Sequence, residues 1–154
     1  MVDIDVTTLR QLLGKLETME SRTWTSSFSL NQIVKTDENY YGDDVMIQGM
    51  PWYVNVRHRT DTSGLGCYLN LRGVEDKTVK SVTASFTLKL LNINDVSKSI
   101  VGQGTYTFTP GGEGWGGHNF IEWNTLEDET KGFIYNNKTF YIEETLKINN
   151  IERY

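Results

Sequence analysis

The sequence predicts an all-β fold, an antiparallel sandwich or barrel, with one α-helix at the N-terminus. Three observations predict it. Apolar and polar residues alternate in several runs of strand length, turn-forming clusters separate these runs, and no helical pattern lies between them. Strict alternation is typical of strands with one buried face, and strands joined without helices pair antiparallel. The length of 154 residues suits one domain.

The N-terminal helix is predicted over residues 6–20. Leu9, Leu12, Leu16 and Met19 recur with alternating steps of three and four residues, so they form one apolar stripe. Isolated helices of this length are marginal in water, and the stripe must therefore pack against something. We expect a monomer with the helix docked on its own domain, and weak self-association through the stripe is the alternative.

The strands follow from alternation with period two. The alternating runs extend over 24–34, 52–59, 65–72, 82–90 and 140–148, and a short β-like segment covers 119–123. Turns are predicted at 61–64, 75–77, 92–95 and 110–117. Trp52 and Trp123 are expected in the core. The predicted boundaries are 1–21 for the helix, 22–150 for the sandwich and 151–154 for a tail.

Composition excludes several classes of protein. The chain has 15 basic and 20 acidic residues, a net charge of −5, so it lacks the overall basic charge of a nucleic-acid binder. No apolar run is long enough to span a membrane, and no secretory signal is recognised at the start. Cys67 is the single cysteine, which fits a reducing compartment. We expect a cytoplasmic protein, and the nucleus is a second option.

The sequence contains no convincing catalytic or metal-binding motif. Cys67, His58 and His118 lie far apart in the sequence, whereas zinc ligands are usually closely spaced. The glycines at 112, 114 and 117 match a dinucleotide-binding pattern, but they do not lie between a strand and a helix. The acidic pairs Asp43-Asp44 and Glu143-Glu144 are interpreted as solvated charge. We therefore expect neither an enzyme nor a cofactor nor a bound metal.

Several short segments resemble, in order and spacing, the MATH domain, the meprin and TRAF homology module. They are Pro51 to Val56, Leu65 to Leu71, Ala84 to Asn92, Tyr106 to Phe108, Gly114 to Gly116, Phe120 to Trp123, Gly132 to Ile134 and Ile142 to Ile148. The resemblance covers about residues 23–148. The stretch from Tyr40-Tyr41 to Pro51-Trp52 looks most like the divergent MATH domains of nematodes, which often occur with BTB domains.

The resemblance implies an eight-stranded antiparallel β-sandwich that is not an enzyme by itself. It implies an adaptor that binds short extended peptides in a groove, and one role in the family is substrate recognition for cullin-3 ubiquitin ligases through a fused or partner BTB domain. The implied groove residues are Arg72, Phe86, Tyr106, Gly112, Glu113, Gly114, Trp115 and Gly117. Relatives that bind serine-rich peptides carry a tyrosine at the position matched to Arg72 and an aromatic residue at that of Gly117. Trp115 either holds its loop against the sandwich or contacts peptide.

Two further expectations concern the ligand. Arg57, Arg59 and Arg72 occupy outward positions on neighbouring strands, which favours acidic or polar peptides. The alternative is that these arginines only balance nearby carboxylates. A different class of function is a carbohydrate-binding sandwich, in which Tyr53, Tyr68, Tyr106 or Trp115 would stack on sugars.

Overall fold

The computed structural model describes residues 18–154 as two antiparallel sheets packed face to face. Helix α1 covers Trp123–Glu127, and two short 3-10 turns cover Val96–Lys98 and Glu129–Lys131. Within the described residues the strands are β1 (Ser21–Ser29), β2 (Tyr40–Tyr41), β3 (Val45–Ile47), β4 (Met50–Arg59), β5 (Gly64–Leu71), β6 (Val79–Leu90), β7 (Ile100–Phe108), β8 (Trp115–Glu122) and β9 (Thr139–Arg153). The predicted all-β sandwich is therefore confirmed.

The strand order positions two pairs of edge strands. One sheet has the order β1-β9-β6-β7, the other has the order β2-β4-β5-β8, and β3 also pairs with β4. Tyr40 pairs with Val56 and Val45 pairs with Trp52, so β2 and β3 are two parts of one edge strand along β4. Counted in this way, the sandwich has the eight strands that were expected.

Alternation explains which side chains fill the space between the sheets. On β6, Val82, Ala84, Phe86, Leu88 and Leu90 are buried, whereas the residues between them are half exposed. Successive side chains of a strand point to opposite faces, and each fully buried leucine contributes roughly 1.5–3 kcal/mol relative to its exposed state. The inner faces of β4, β5, β6 and β9 supply most of the apolar core.

The stretch from 110 to 127 differs from the sequence prediction. The predicted turn at 110–117 ends earlier, since β8 already begins at Trp115 and pairs with Leu69 of β5. The predicted β-like segment over 119–123 is mostly strand, but Trp123 begins helix α1. Glycines at 114 and 116 explain the early start, because they allow the backbone of β8 to approach β5 closely.

The two ends of the chain also differ from the predicted boundaries. Residues 1–17, with most of the predicted helix and its stripe, lie outside the described residues. Thr18–Glu20 are not helical: Met19 packs against the core, and the Glu20 amide donates to Gln48 Oε1 at 2.7 Å. At the other end, β9 continues to Arg153, which pairs with Val79, so most of the predicted tail belongs to a sheet. The expectation of a cis-docked monomer stays a prediction.

Candidate functional site

The candidate site lies where the edge strands β7 and β8 of the two sheets run beside each other. Each is the last strand of its sheet, so within residues 18–154 its outer backbone edge is unpaired. An unpaired edge presents N–H and C=O groups to which an extended peptide can add as a further strand. The inner faces of these two strands meet over a cluster of aromatic rings.

Phe86 and Trp115 form the centre of this cluster. Their ring centroids are 4.7 Å apart in an edge-to-face arrangement, and Phe86 also contacts Phe108 at 5.8 Å. Tyr106 packs edge-to-face on Phe108 at 4.8 Å. Phe86 is only 3% exposed, as its strand parity predicts, whereas Trp115 and Tyr106 are half buried. Three of the predicted groove residues are thus brought together: Phe86, Tyr106 and Trp115.

Two glycines of β7 make room for the rings of β8. A Cβ atom on Gly104 would lie 3.4 Å from Trp115 and 3.5 Å from Phe86. A Cβ atom on Gly102 would lie 2.9 Å from the ring of Phe120. Since the inner face of β7 is bare at both glycines, Trp115 and Phe120 lie directly over its backbone.

Phe120 is a member of the cluster that the sequence analysis did not assign to the groove. A bulge separates the pairs Cys67–Gly117 and Leu65–Ile121, so β8 has extra residues between them. This bulge returns Phe120 to the inner face, next to Gly117, where a Cβ atom would be 3.6 Å from its ring. An aromatic side chain therefore adjoins the position at which the sequence lacks one. The segment Phe120 to Trp123 is part of the family resemblance, but only the bulge determines where the Phe120 ring lies.

Gly112 and Gly114 of the predicted groove, and Gly116 beside it, have backbone roles. A side chain on Gly114 would overlap Asn70 and the carbonyl of Leu69, and one on Gly116 would overlap the carbonyl of Cys67. Gly112 closes a tight turn by donating its N–H to Thr109 at 2.9 Å, and Glu113 beside it is exposed. These positions keep β8 close to β5 and hold Trp115 over β7.

Arg72 contacts other partners than the aromatic cluster. Its Nε and Nη2 donate to the Asp44 carboxylate at 2.9 and 2.8 Å, and its guanidinium lies 4.2 Å from the centre of the Tyr53 ring. Asp44 raises the pKa of the guanidinium further. Tyr53 and Arg72 are both on the outer face of the β4–β5 pair, so this cation belongs to that surface.

Arg57 and Arg59 are engaged as well. Arg59 forms an ion pair with Asp61 at 2.5 Å and donates to the Tyr68 hydroxyl at 2.9 Å, and Arg57 donates to the carbonyl of Asp37. For Arg59 and Arg72 the geometry agrees with the alternative that these arginines balance nearby carboxylates. Arg59 and Arg72 would have to leave a carboxylate partner in order to bind an acidic peptide, whereas Arg57 contacts a backbone carbonyl.

Tyr68 occupies the outer face next to β8, directly opposite Gly116 in the register. Its ring lies over Gly66 and Gly116, where an added Cβ would clash, and its hydroxyl is 2.8 Å from Nδ1 of His118. His118 is thus an exposed residue on strand β8 that is hydrogen-bonded to Tyr68. Tyr68 and His118 form the outer rim of β8, opposite the aromatic cluster on its inner side.

Among residues 18–154 no group of three or more His, Cys, Asp or Glu is arranged to hold a metal ion. Cys67 is fully buried, and burial raises the pKa of its thiol well above the usual value. Within that range no helix is long and apolar enough to cross a membrane.

A comparison with protein families identifies the fold. The family model described as MATH domain matches residues 27–148 of the 154-residue chain. The match spans the strands from β1 into β9 and includes the complete aromatic cluster between β7 and β8.

Proposed function

The chain belongs to the MATH domain family of protein-interaction modules, and from this membership we propose that it is an adaptor that binds short extended peptides between β7 and β8. The observation that supports this most directly is the juxtaposition, over half-buried aromatic rings, of two edge strands whose outer edges are unpaired among residues 18–154. Backbone hydrogen bonds from an edge supply affinity, and side-chain pockets supply specificity.

The contacts of the arginines favour polar peptides over strongly acidic ones. Arg59 and Arg72 already have carboxylate partners in Asp61 and Asp44. An acidic peptide would have to compete with these intramolecular pairs, whereas a polar side chain could use Tyr106 and the exposed backbone. We therefore infer recognition through backbone pairing and small polar side chains.

Gly117 offers a direct test. A Cβ atom there meets nothing closer than the Phe120 ring at 3.6 Å, so a side chain fits without clash but extends into the cleft. Ligands are first selected from a displayed peptide library, and their affinities are then measured by fluorescence polarisation. We expect Gly117→Arg to weaken binding at least tenfold.

Gly73→Arg is the matched control, because a Cβ atom on Gly73 has no neighbour within 4 Å and the charge change is the same. The control should bind like the wild type, and both variants should unfold at the wild-type temperature. Unchanged affinity in a folded Gly117→Arg variant would place the peptide elsewhere.

We further propose that the adaptor serves substrate recognition for cullin-3 ubiquitin ligases, in the cytoplasm or the nucleus. This proposal rests on the family alone. Co-precipitation of endogenous cullin-3 by the natural full-length protein, and its loss when a BTB partner is depleted, would support it. Absence of cullin-3 from the complex would contradict the ligase role and leave the peptide-binding proposal unaffected.

A further inference from the structure

A second cleft lies on the opposite edge of the sandwich, between β1 and the interrupted edge strand β2–β3. It has a volume of about 280 Å³. Its walls combine aromatic, hydroxyl and carboxylate groups without a basic side chain: Trp24, Thr25, Ser26, Ser27, Tyr41, Gly42, Asp43 and Val45. It shares no residue with the cleft between β7 and β8.

The interruption at Gly42 produces this opening. The Gly42 amide donates to the carbonyl of Val54 at 2.8 Å, so the chain stays against β4 between β2 and β3. A Cβ atom on Gly42 would lie 3.1 Å from Oγ of Ser26 on the facing strand. Because the side chain is missing, the cleft reaches Trp24 and Ser26, which belong to the inner phase of β1.

Glu144 lies behind this wall. It pairs directly with Trp24 in the β1–β9 register and is 0% exposed. Ser26 lies close enough to stabilise its charged form, but neither carboxyl oxygen makes a hydrogen bond of good geometry. The indole N–H of Trp24 is buried without a partner. Buried polar atoms are almost always well hydrogen-bonded, so a carboxyl that has only Ser26 between it and the cleft, and no hydrogen bond of good geometry, points to a group that enters from outside.

We propose that this cleft binds a lysine side chain of a partner protein. Its ammonium would lie between Asp43 at the rim and Glu144 behind Ser26, and its methylene groups would lie against Trp24 and Tyr41. Aromatic rings and carboxylates together favour a cation. The net charge of −5 also favours the approach of a basic partner.

The titration of Glu144 is compatible with this role. Burial raises the pKa of its carboxyl to about 8, and the nearby Ser26 only partly offsets that effect. An ammonium beside it would lower this pKa again, so lysine should bind more tightly as the pH rises towards 8.5. The other groups facing Glu144 are Leu88 of β6 and Cys67 of β5, and Glu143 precedes it on β9. The Cys67 thiol stays protonated in this range, because its pKa is raised well above the usual value.

The test uses the full chain and two small probes, Nα-acetyl-lysine N-methylamide and its neutral norleucine counterpart. Binding is followed by NMR through the indole N–H signal of Trp24, assigned with Trp24→Phe. We expect a saturable shift with the lysine probe alone, and an affinity at least about fivefold higher at pH 8.5 than at pH 6.5. Glu144→Gln should weaken binding tenfold and remove the pH dependence.

Glu143→Gln is the matched control, since it removes one carboxylate from the adjacent outward position of the same strand. It should leave the affinity of the lysine probe unchanged, and so should Gly117→Arg in the other cleft. An equal shift with norleucine, no shift of the Trp24 signal, or a folded Glu144→Gln variant with wild-type affinity would overturn the proposal. The pH dependence of the wild type tests it even if that variant does not fold.

Discussion

The rings of His58 and Trp123 are stacked face to face, with centroids 3.7 Å apart and planes within 4° of parallel. His58 is near the end of β4, and Trp123 is the first residue of α1, so this contact attaches the helix to the sheet. Burial lowers the pKa of His58, although the carboxylate of Glu127 acts in the opposite direction.

The first prediction follows from this stack. When folding lowers the pKa of a histidine, the folded protein has its full stability at a pH above the ordinary histidine pKa of about 6.5. As the pH falls below that value, the unfolded state takes up the proton more readily and the stability decreases. We expect His58→Gln to reduce the loss of unfolding free energy between pH 7.5 and 5. Urea unfolding at several pH values measures it, with His118→Gln as control. An unchanged pH profile in His58→Gln would contradict the prediction.

The second prediction concerns Glu144, whose folded pKa of about 8 exceeds the ordinary value of 4.5. The neutral carboxyl is compatible with the core. The contribution of Glu144 to the free energy of unfolding is therefore greatest below pH 4.5, and it is lost as the pH rises through 8. We expect Glu144→Gln to unfold with a free energy roughly 3–5 kcal/mol higher at pH 9 and little changed at pH 4.5. Equal gains at both pH values would show that ionisation is not the cause.

The third prediction compares two adjacent glycines of β8. A Cβ atom on Gly116 would overlap the carbonyl oxygen of Cys67, whereas one on Gly117 has only an ordinary contact with Phe120. We expect Gly116→Ala to lose about 3 kcal/mol or more of unfolding free energy and Gly117→Ala to lose less than about 0.5. Thermal and urea unfolding of the two variants provide the measurement, and similar losses would mean that β8 can move away from β5.

The fourth prediction tests the pairing of Arg72 with Asp44. Both side chains are about half exposed, so breaking the pair should cost under about 1 kcal/mol of stability. Asp44→Asn would release the guanidinium. If a peptide lies within reach of Arg72, a glutamate-containing peptide should then bind severalfold more tightly than to the wild type. Arg72→Met added to Asp44→Asn should abolish this gain, and a gain that persists in the double variant would have another origin.

The sequence by itself determined the sheets and most of the core. Period-two alternation placed Val82 to Leu90 on a half-buried strand, and the register confirms it, because parity is a local property of an extended chain. Parity also carried a signal that the sequence analysis did not use. Glu144 shares the buried phase of Ile142 and Leu146, so its interpretation as solvated charge was wrong.

Only the tertiary structure decided which surfaces exist. The site between β7 and β8 depends on two edge strands from different sheets, and the cleft beside Trp24 depends on an interruption between β2 and β3. Phe120 reaches the cluster through a bulge, and Arg72 is paired with a residue 28 positions away. Such relationships join segments that are distant in sequence, and hydrophobic periodicity contains no information about contacts between distant segments. It records which face of a strand is buried, whereas packing determines which neighbours that face meets.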